Sequence, residues 1–286
     1  MLKLSTKTKL HTGSLVFKIV RTWFRFLGKK TESLITIRNG ITWKLNLVEG
    51  FDLYIYLFGR HEPSSYLAMK RYVKTGDIVL DIGANVGGHT LPLAEMVSKT
   101  GSVIAIEPTL WAFNKMCDNI SLNTSLQERI IPLQVLLTDV DNDEAAPKEL
   151  YSSWTFDDKE IKHATLMGTL KSTVGTRIRT LDSLVAEMQL QKIDFIKLDV
   201  DGFELKVLKG ANNILRRFKP KMLIELCPHV LKEHNSSLEE YFEILKKYNY
   251  QIFEEVSGKQ LELNSKVIEK MIPVNGGINV IALFQK

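Results

Sequence analysis

The chain has 286 residues, 44% of them hydrophobic and 25% charged, with a formal net charge of +5. That composition excludes a disordered chain, and the length fits one large α/β domain with an N-terminal extension better than two small domains. Two cysteines, Cys117 and Cys227, exclude a disulfide framework and imply a reduced cytoplasmic setting, and no stretch approaches the roughly twenty uninterrupted apolar residues of a membrane span.

The positive charge is concentrated at one end. Residues 1–30 hold eight Lys or Arg and no acid, so the remainder is slightly acidic. Leu15, Val16, Ile19, Val20, Trp23, Phe24, Phe26 and Leu27 recur there at near-helical spacing, with Lys18, Arg21, Arg25, Lys29 and Lys30 between them. Lys18 breaks the one early apolar run, which argues against a secretory signal. The segment reads either as a helix packing an aromatic stripe on the main domain with its charges in solvent, or as a basic helix lying peripherally on an anionic inner-membrane surface. Without it there is no basic excess for RNA, and no nucleic-acid partner is expected.

Leu34–Arg38 and Ile41–Leu45 flank Asn39-Gly40, the signature of a two-residue β-hairpin turn, so residues 33–47 are expected to pair. Residues 1–58 thus form an extension and residues 59–286 the main domain. Phe51–Phe58 reads as a strand or helix leading, through Gly59-Arg60-His61-Glu62, to a loop near a ligand crevice, and Tyr66–Val73 as a helix. Core strands are expected near 78–81, 103–107, 131–137, 193–199 and 222–226. Helices are expected near 88–97, 110–121, 181–189, 204–216 and 237–248. This alternation builds a parallel sheet from βαβ units. Tyr250–Phe253 and Ile278–Phe284 would complete it as an antiparallel pair. The interval 141–175 breaks the rhythm and reads as a long irregular connection, either a substrate-facing loop or a surface insertion.

Ile78-Val79-Leu80 is the short apolar run of a strand covered on both faces, and it runs through Asp81 into a turn with Gly83, Gly87 and Gly88. A dinucleotide site would show G-x-G-x-x-G and aim a helix N-terminus at a pyrophosphate; here the pattern is D-x-G-x-N-x-G-G. An acid at the turn repels a pyrophosphate and suits the cationic sulfonium and ammonium of S-adenosylmethionine. Glu107 ends the next strand, twenty-four residues after Gly83, where an acid grips ribose hydroxyls in doubly wound folds. The expected cofactor-binding set is Asp81, Gly83, Ala84, Asn85, Gly87, His89, Thr90, Glu107 and Pro108, with Asp139 at a later strand end.

A second acidic strand end lies in IKLDVDGFELKVLKGA. Together with DIGANVGGHT, IAIEP, NISLN, TLDSL and KPKMLIEL, it strongly resembles the FkbM-type S-adenosylmethionine-dependent methyltransferases, from about Gly59 to the C-terminus. The resemblance implies a class I methyltransferase fold, a Rossmann-like seven-stranded, mostly parallel sheet with helices on both faces. It also implies methyl transfer, commonly to a hydroxyl of a sugar, glycan, lipid-linked or polyketide-type molecule. By position Asp81, Gly83, Asn85 and Gly87 match the family's cofactor turn, Glu107 its ribose acid and Asp139 the acid near the adenine. Asp201 stands where the family more often has Glu.

An alcohol is a poor nucleophile at neutral pH, so O-methylation benefits from a base. Asp199 and Glu225 end consecutive parallel strands and His229 follows closely, making these three the catalytic candidates, with His89 and His61 as reserves. No metal site is assigned; the alternative is a hard divalent cation on Asp199, Asp201 and Glu225. Asp201 and Glu204 read equally as turn-shaping residues before a helix. The sequence also leaves open an N-methyltransferase, a cofactor-binding scaffold without catalysis, or a dehydrogenase. It sets neither the acceptor, expected to be a small molecule or glycan, nor the oligomeric state.

Overall fold

Asn39 and Gly40 both take positive φ, 50° and 83°, the backbone of a two-residue turn whose twist matches its flanking strands. In the computed structural model, which describes residues 6–28, 30–156 and 168–286, this turn joins β1 (Leu34–Arg38) to β2 (Ile41–Leu45) as an antiparallel pair. Helix α1 (Thr6–Phe26) precedes the hairpin, and α2 (Gly50–Phe58) and α3 (Pro63–Tyr72) follow it. The segment that read as strand or helix is therefore helical. It stops at Gly59, φ 77°, whose N–H donates to the Ile55 carbonyl.

The alternating region starts with β3 (Ile78–Ile82), α4 (Thr90–Val97), β4 (Ser102–Ile106), α5 (Leu110–Ser121), the short α6 (Thr124–Gln127) and β5 (Ile130–Leu133). Then come β6 (Val135–Thr138), β7 (Glu149–Trp154), β8 (Gly168–Ser172), β9 (Arg177–Thr180), α7 (Leu181–Glu187), β10 (Phe195–Leu198), α8 (Glu204–Lys209) and α9 (Asn212–Arg217). The chain finishes with β11 (Lys221–Leu226), α10 (Pro228–Glu233), α11 (Leu238–Lys247), β12 (Tyr250–Glu254), β13 (Gln260–Leu261), α12 (Ser265–Met271) and β14 (Ile278–Phe284).

The main sheet has the order β13-β12-β14-β11-β10-β3-β4-β5, parallel from β11 to β5 and antiparallel beyond β11. This is the expected Rossmann-like α/β architecture with eight strands instead of seven. The extra member, β13, is two residues pairing with Ile252 and Phe253 at the edge. Successive side chains of a strand point to opposite faces, and here Leu80, Ile104 and Ile196 enter one apolar cluster while Val79, Val103 and Phe195 enter the other. Both faces are covered, so the strands read as continuous apolar runs.

Three expectations change. The strand expected over 131–137 breaks at Gln134: β5 stays in the main sheet, and β6 leaves it to pair in parallel with β9. The helix expected over 204–216 divides at Gly210-Ala211, because Gly210 packs on the Thr138 carbonyl oxygen, where a Cβ would lie 2.3 Å away. The interval 141–175 carries an antiparallel pair, β7 with β8, where an irregular connection was expected. Residues 157–167 of that interval lie outside the described residues.

Phe17, Phe24, Trp43, Leu45 and Leu53 of the N-terminal segment are buried in the same cluster as Val79 and Val103 of the sheet. The free edge of β2 is satisfied by two asparagines. Asn119 Oδ1 accepts from Lys44 N at 2.9 Å and Asn123 Oδ1 from Thr42 N at 2.9 Å, while Asn123 Nδ2 donates to Thr42 O at 2.7 Å. These are the asparagines of the NISLN motif, and each pairs partly buried backbone groups on the open edge of β2. Among the described residues no helix is long and apolar enough to cross a membrane.

Candidate functional site

Strand β3 sits at the switch of the sheet: β4 and β5 lie to one side of it, β10 and β11 to the other. Loops leaving the C-terminal ends of β3 and β10 diverge, and in open α/β sheets ligands bind in the crevice that this leaves. The crevice is a cavity of about 540 Å³, in the range that encloses a small molecule, roughly 300–1,000 Å³. Gly83, Ala84, Asn85, His89, Glu107, Pro108, Asp199 and Glu225 from the expected sets line it, joined by His61, Glu62, Lys197, Asp201 and His234. The β7–β8 pair contributes Glu149, Tyr151, Ser152 and Leu170, so the 141–175 interval does face the crevice.

The turn after β3 is shaped by its backbone. Gly83, Asn85 and Gly87 have φ of 78°, 49° and 90°, the left-handed region that glycine and asparagine tolerate. Gly83 also presses on the next strand end: a Cβ there would lie 1.8 Å from the Asp199 carbonyl oxygen. The Gly83 and Ala84 amides donate to Ile106 O, both at 3.0 Å. Glu107 ties the two loops together. Its Oε2 accepts from Asn85 N at 3.0 Å, and its Oε1 accepts from Thr109 N at 3.0 Å and from Thr109 Oγ1 at 2.6 Å. Burial raises its pKa, and these hydrogen bonds work in the opposite direction.

Asp81 has a different role from the one expected. It is completely buried, does not line the cavity, and accepts from Thr90 Oγ1 at 2.6 Å. Thr90 and Gly87 likewise stand behind the turn. Directly opposite Asp81 in register is Lys197, whose Nζ lies 3.7 Å from Asp81 Oδ1 and 3.2 Å from Asp199 Oδ2 and donates to Gly83 O at 2.9 Å. Burial alone would lower the lysine's pKa; the Asp199 and Asp81 carboxylates reverse this and hold it above the usual value. Lys197 was not among the expected site residues. The signal for it was a lysine inside the fully buried strand Phe195–Leu198, where an ionised group needs carboxylate partners.

Beyond Lys197 the crevice turns acidic. Glu204 Oε1 accepts from Val200 N at 2.8 Å and Gly202 N at 3.3 Å, the turn-shaping role that the sequence allowed it. Burial pushes its carboxyl up to about 7. Glu225 is raised well above the usual carboxylate range by removal from water and then by the neighbouring Asp199 and Glu204 charges. Carboxylate oxygens of Asp199, Glu204 and Glu225 lie within 4.8 Å of one another. Glu204, instead of Asp201, therefore joins the alternative cation set. A second such group is His61, Glu62 and His89. His61 is lowered to about 3, first by burial, and is a neutral imidazole at physiological pH.

Besides Asp81, Gly87 and Thr90, two further expected residues do not line the crevice. Asp139 is exposed and absent from its lining, because β6 leaves the sheet before reaching it. His229 sits beside the Cys227 thiol, Nδ1 to Sγ 3.4 Å, and it is His234 that lines the cavity, its ring 4.6 Å from that of Phe203. Cys227 is buried, and burial raises its thiol pKa, so it is an inert thiol.

The sequence model of the methyltransferase FkbM domain matches residues 81–252. The chain belongs to this family. The FkbM region spans β3 to β12 and includes every wall of the crevice except those supplied by residues 51–62. The chain is 31% identical over 141 residues to the hexuronic acid methyltransferase AglP of Haloferax volcanii, covering 49% of this chain and 52% of that protein. The match thus spans about half the length of that relative. Similar solved structures include an FkbM methyltransferase from Methylobacillus flagellatus, with 19% identity, TM-score 0.43, and 73% of this chain and 44% of that one covered. A SAM-dependent methyltransferase from Aquifex aeolicus has 16% identity, TM-score 0.41 and coverages of 78% and 90%.

The FkbM crevice fits the cofactor its family implies. Among the described lining residues seven carry carboxyl groups (Glu62, Glu107, Glu149, Asp199, Asp201, Glu225, Glu233) and one is a lysine; burial and mutual repulsion raise the pKa of Asp201 and Glu225, a crowding that a ligand with a net positive charge relieves. Among the described residues neither His89 Nδ1 nor His61 Nδ1 has a hydrogen-bond partner, and His89 Nε2 has only the Glu62 carboxylate nearby, at 3.7 Å. Buried polar atoms of this kind in a cavity wall are ready contacts for a polar ligand.

Proposed function

We propose that this chain is an S-adenosylmethionine-dependent methyltransferase that methylates a hydroxyl group of a sugar or glycan, lipid-linked and polyketide-type acceptors included. The observation that carries the reading is the acidic crevice at the β3–β10 switch, with Glu107 fixed at the end of β4 and the Gly83–Asn85 turn beside it. The half-length similarity to a hexuronic acid methyltransferase supports a sugar as the acceptor class. Glu107 would hold the ribose hydroxyls, the Gly83–Asn85 backbone would face the adenosyl group, and the acids would offset the ligand's positive charge. When bound, the cofactor supplies an electrophilic methyl group on a sulfonium. The chain's own contribution is to align the acceptor and take its proton, and alignment by itself provides much of the acceleration. Glu225 takes the proton: it lines the cavity beside Asp199, at the end of a strand next to β10, where a positioned carboxyl can serve as a general base.

Calorimetry tests the cofactor. S-adenosylmethionine carries a sulfonium charge that S-adenosylhomocysteine lacks, and cation binding favours ionised carboxyls. Glu204, ordinarily at 4.5 and raised to about 7 in the fold, contributes stability below its ordinary value and loses it as pH rises through about 7. A bound sulfonium offsets that loss. The expected result is that affinity for S-adenosylmethionine increases severalfold between pH 6 and pH 8 while affinity for S-adenosylhomocysteine changes little. Equal pH dependence for the two would remove the sulfonium from the acidic wall, and no affinity for either would end the reading. Labelled methyl transfer into a cell extract then separates an enzyme from a non-catalytic scaffold.

Glu225→Gln is expected to lower kcat by roughly 10²–10⁴-fold, the usual contribution of a positioned base, with cofactor affinity changed only a few-fold. The acidic limb of the pH–rate profile should vanish with it. Wild-type turnover in this variant would place the base elsewhere.

A further inference from the structure

Helix α1 is apolar on two faces, and only one of them is used. Phe17 and Phe24 are buried against the domain with Val20 partly buried beside them. Leu15, Ile19, Trp23 and Phe26 remain 59%, 63%, 60% and 81% exposed. At about 100° per residue these four fall within roughly an 80° arc, opposite the buried face. They form one ridge, with the Trp23 and Phe26 rings stacked 6.0 Å apart. Lys18, Arg21 and Arg25, all exposed, occupy the sector between the buried face and the ridge, and residues 1–30 contain no acid.

The packing role that the sequence offered for this helix thus accounts for one stripe and leaves a second, more aromatic one in solvent. Isolated exposed apolar residues need no explanation, but a contiguous ridge does. We propose that the exposed ridge of α1 is a docking surface for an anionic lipid bilayer, with Leu15, Ile19, Trp23 and Phe26 entering the headgroup boundary and Lys18, Arg21 and Arg25 pairing with lipid phosphates. The charge pattern selects this occupant. A second copy laid on the ridge would bring two wholly basic strips together, and an RNA would leave Ile19 and Phe26 against a charged polymer. A lipid surface satisfies both the aromatic and the basic sectors. Helices of this kind lie in the interface plane without spanning it.

The test uses the full-length chain and vesicle flotation at low salt. Binding to phosphatidylcholine vesicles containing phosphatidylglycerol is expected to exceed binding to pure phosphatidylcholine at least tenfold. Trp23→Ser combined with Phe26→Ser should reduce it tenfold or more, as should Arg21→Glu combined with Arg25→Glu. Both double variants change solvent-exposed positions, so an unchanged thermal midpoint and unchanged S-adenosylmethionine affinity are expected, and they separate this idea from the cofactor reading. Failure of the wild-type chain to float with anionic vesicles overturns the proposal. So does flotation that both variants retain, a ridge-dependent dimer seen by sedimentation without lipid, or oligonucleotide binding lost in the same variants.

Discussion

Gly83→Ala should abolish measurable cofactor binding and destabilise the domain more than any other single change at the turn. Two costs combine there. The φ of 78° is a conformation that costs a residue with a Cβ about 1–3 kcal/mol. The new methyl would also stand 1.8 Å from the carbonyl oxygen of Asp199, a backbone atom just past β10 whose residue is tied to β3 by its N–H donating to Ile82 O at 3.2 Å. Relief requires β3 and β10 to separate at their C-terminal ends, which moves Asp199 and the Gly83–Asn85 turn together. Gly87→Ala is the control. Its φ of 90° carries the same conformational cost, but its nearest neighbour would be Met116 Cγ at 3.4 Å, a flexible side-chain atom at ordinary contact. Thermal melts and calorimetry on both variants are expected to show the Gly83 change costing several-fold more in stability and at least 100-fold more in affinity. Equal effects would mean that backbone conformation, and not the approach to Asp199, governs this position.

Lys197→Met is expected to cost about 3–5 kcal/mol, the effect of breaking a buried ion pair by removing one partner. Met fills a similar volume, so the loss is electrostatic. Among the described residues Asp81, completely buried, would keep only the Thr90 hydroxyl as a donor, since its Oδ1 has no hydrogen-bond partner there. A fall in Tm of roughly 10 °C follows for a domain of this size. Combining Lys197→Met with Asp81→Asn should recover part of the loss, because the two sites couple directly. Additive losses in the double variant would show that Lys197 acts through Asp199 or the Gly83 carbonyl instead.

Much of the fold was legible because its cues are local. The Asn39-Gly40 turn, the apolar runs of β3 and β4, the glycines after Asp81 and the acid at Glu107 each follow from neighbouring residues and from the spacing of one βαβ unit. The breaks at Gln134 and Gly210 were not legible. Each depends on a partner far along the chain, β9 for the first and the Thr138 carbonyl for the second. The acids at the strand ends were legible, but not which of them line the cavity. Depth along the strand separates them: Asp81 and Lys197 face each other in register inside β3 and β10, whereas Glu107 and Asp199 lie just past the ends of β4 and β10 and, with Glu225, reach the crevice.

By itself, then, the sequence determined a doubly wound sheet, the glycine turn after its first core strand and the acids that gather at its strand ends, because hydrophobic period and glycine placement are properties of the chain read in order. Tertiary structure alone decided which carboxyl groups line the cavity, that His234 and not His229 reaches it, that β7 and β8 line it, and that α1 buries one aromatic stripe and exposes another. Those outcomes turn on which side chains meet across the sheet, and contacts between residues distant in sequence are set only when the whole core packs.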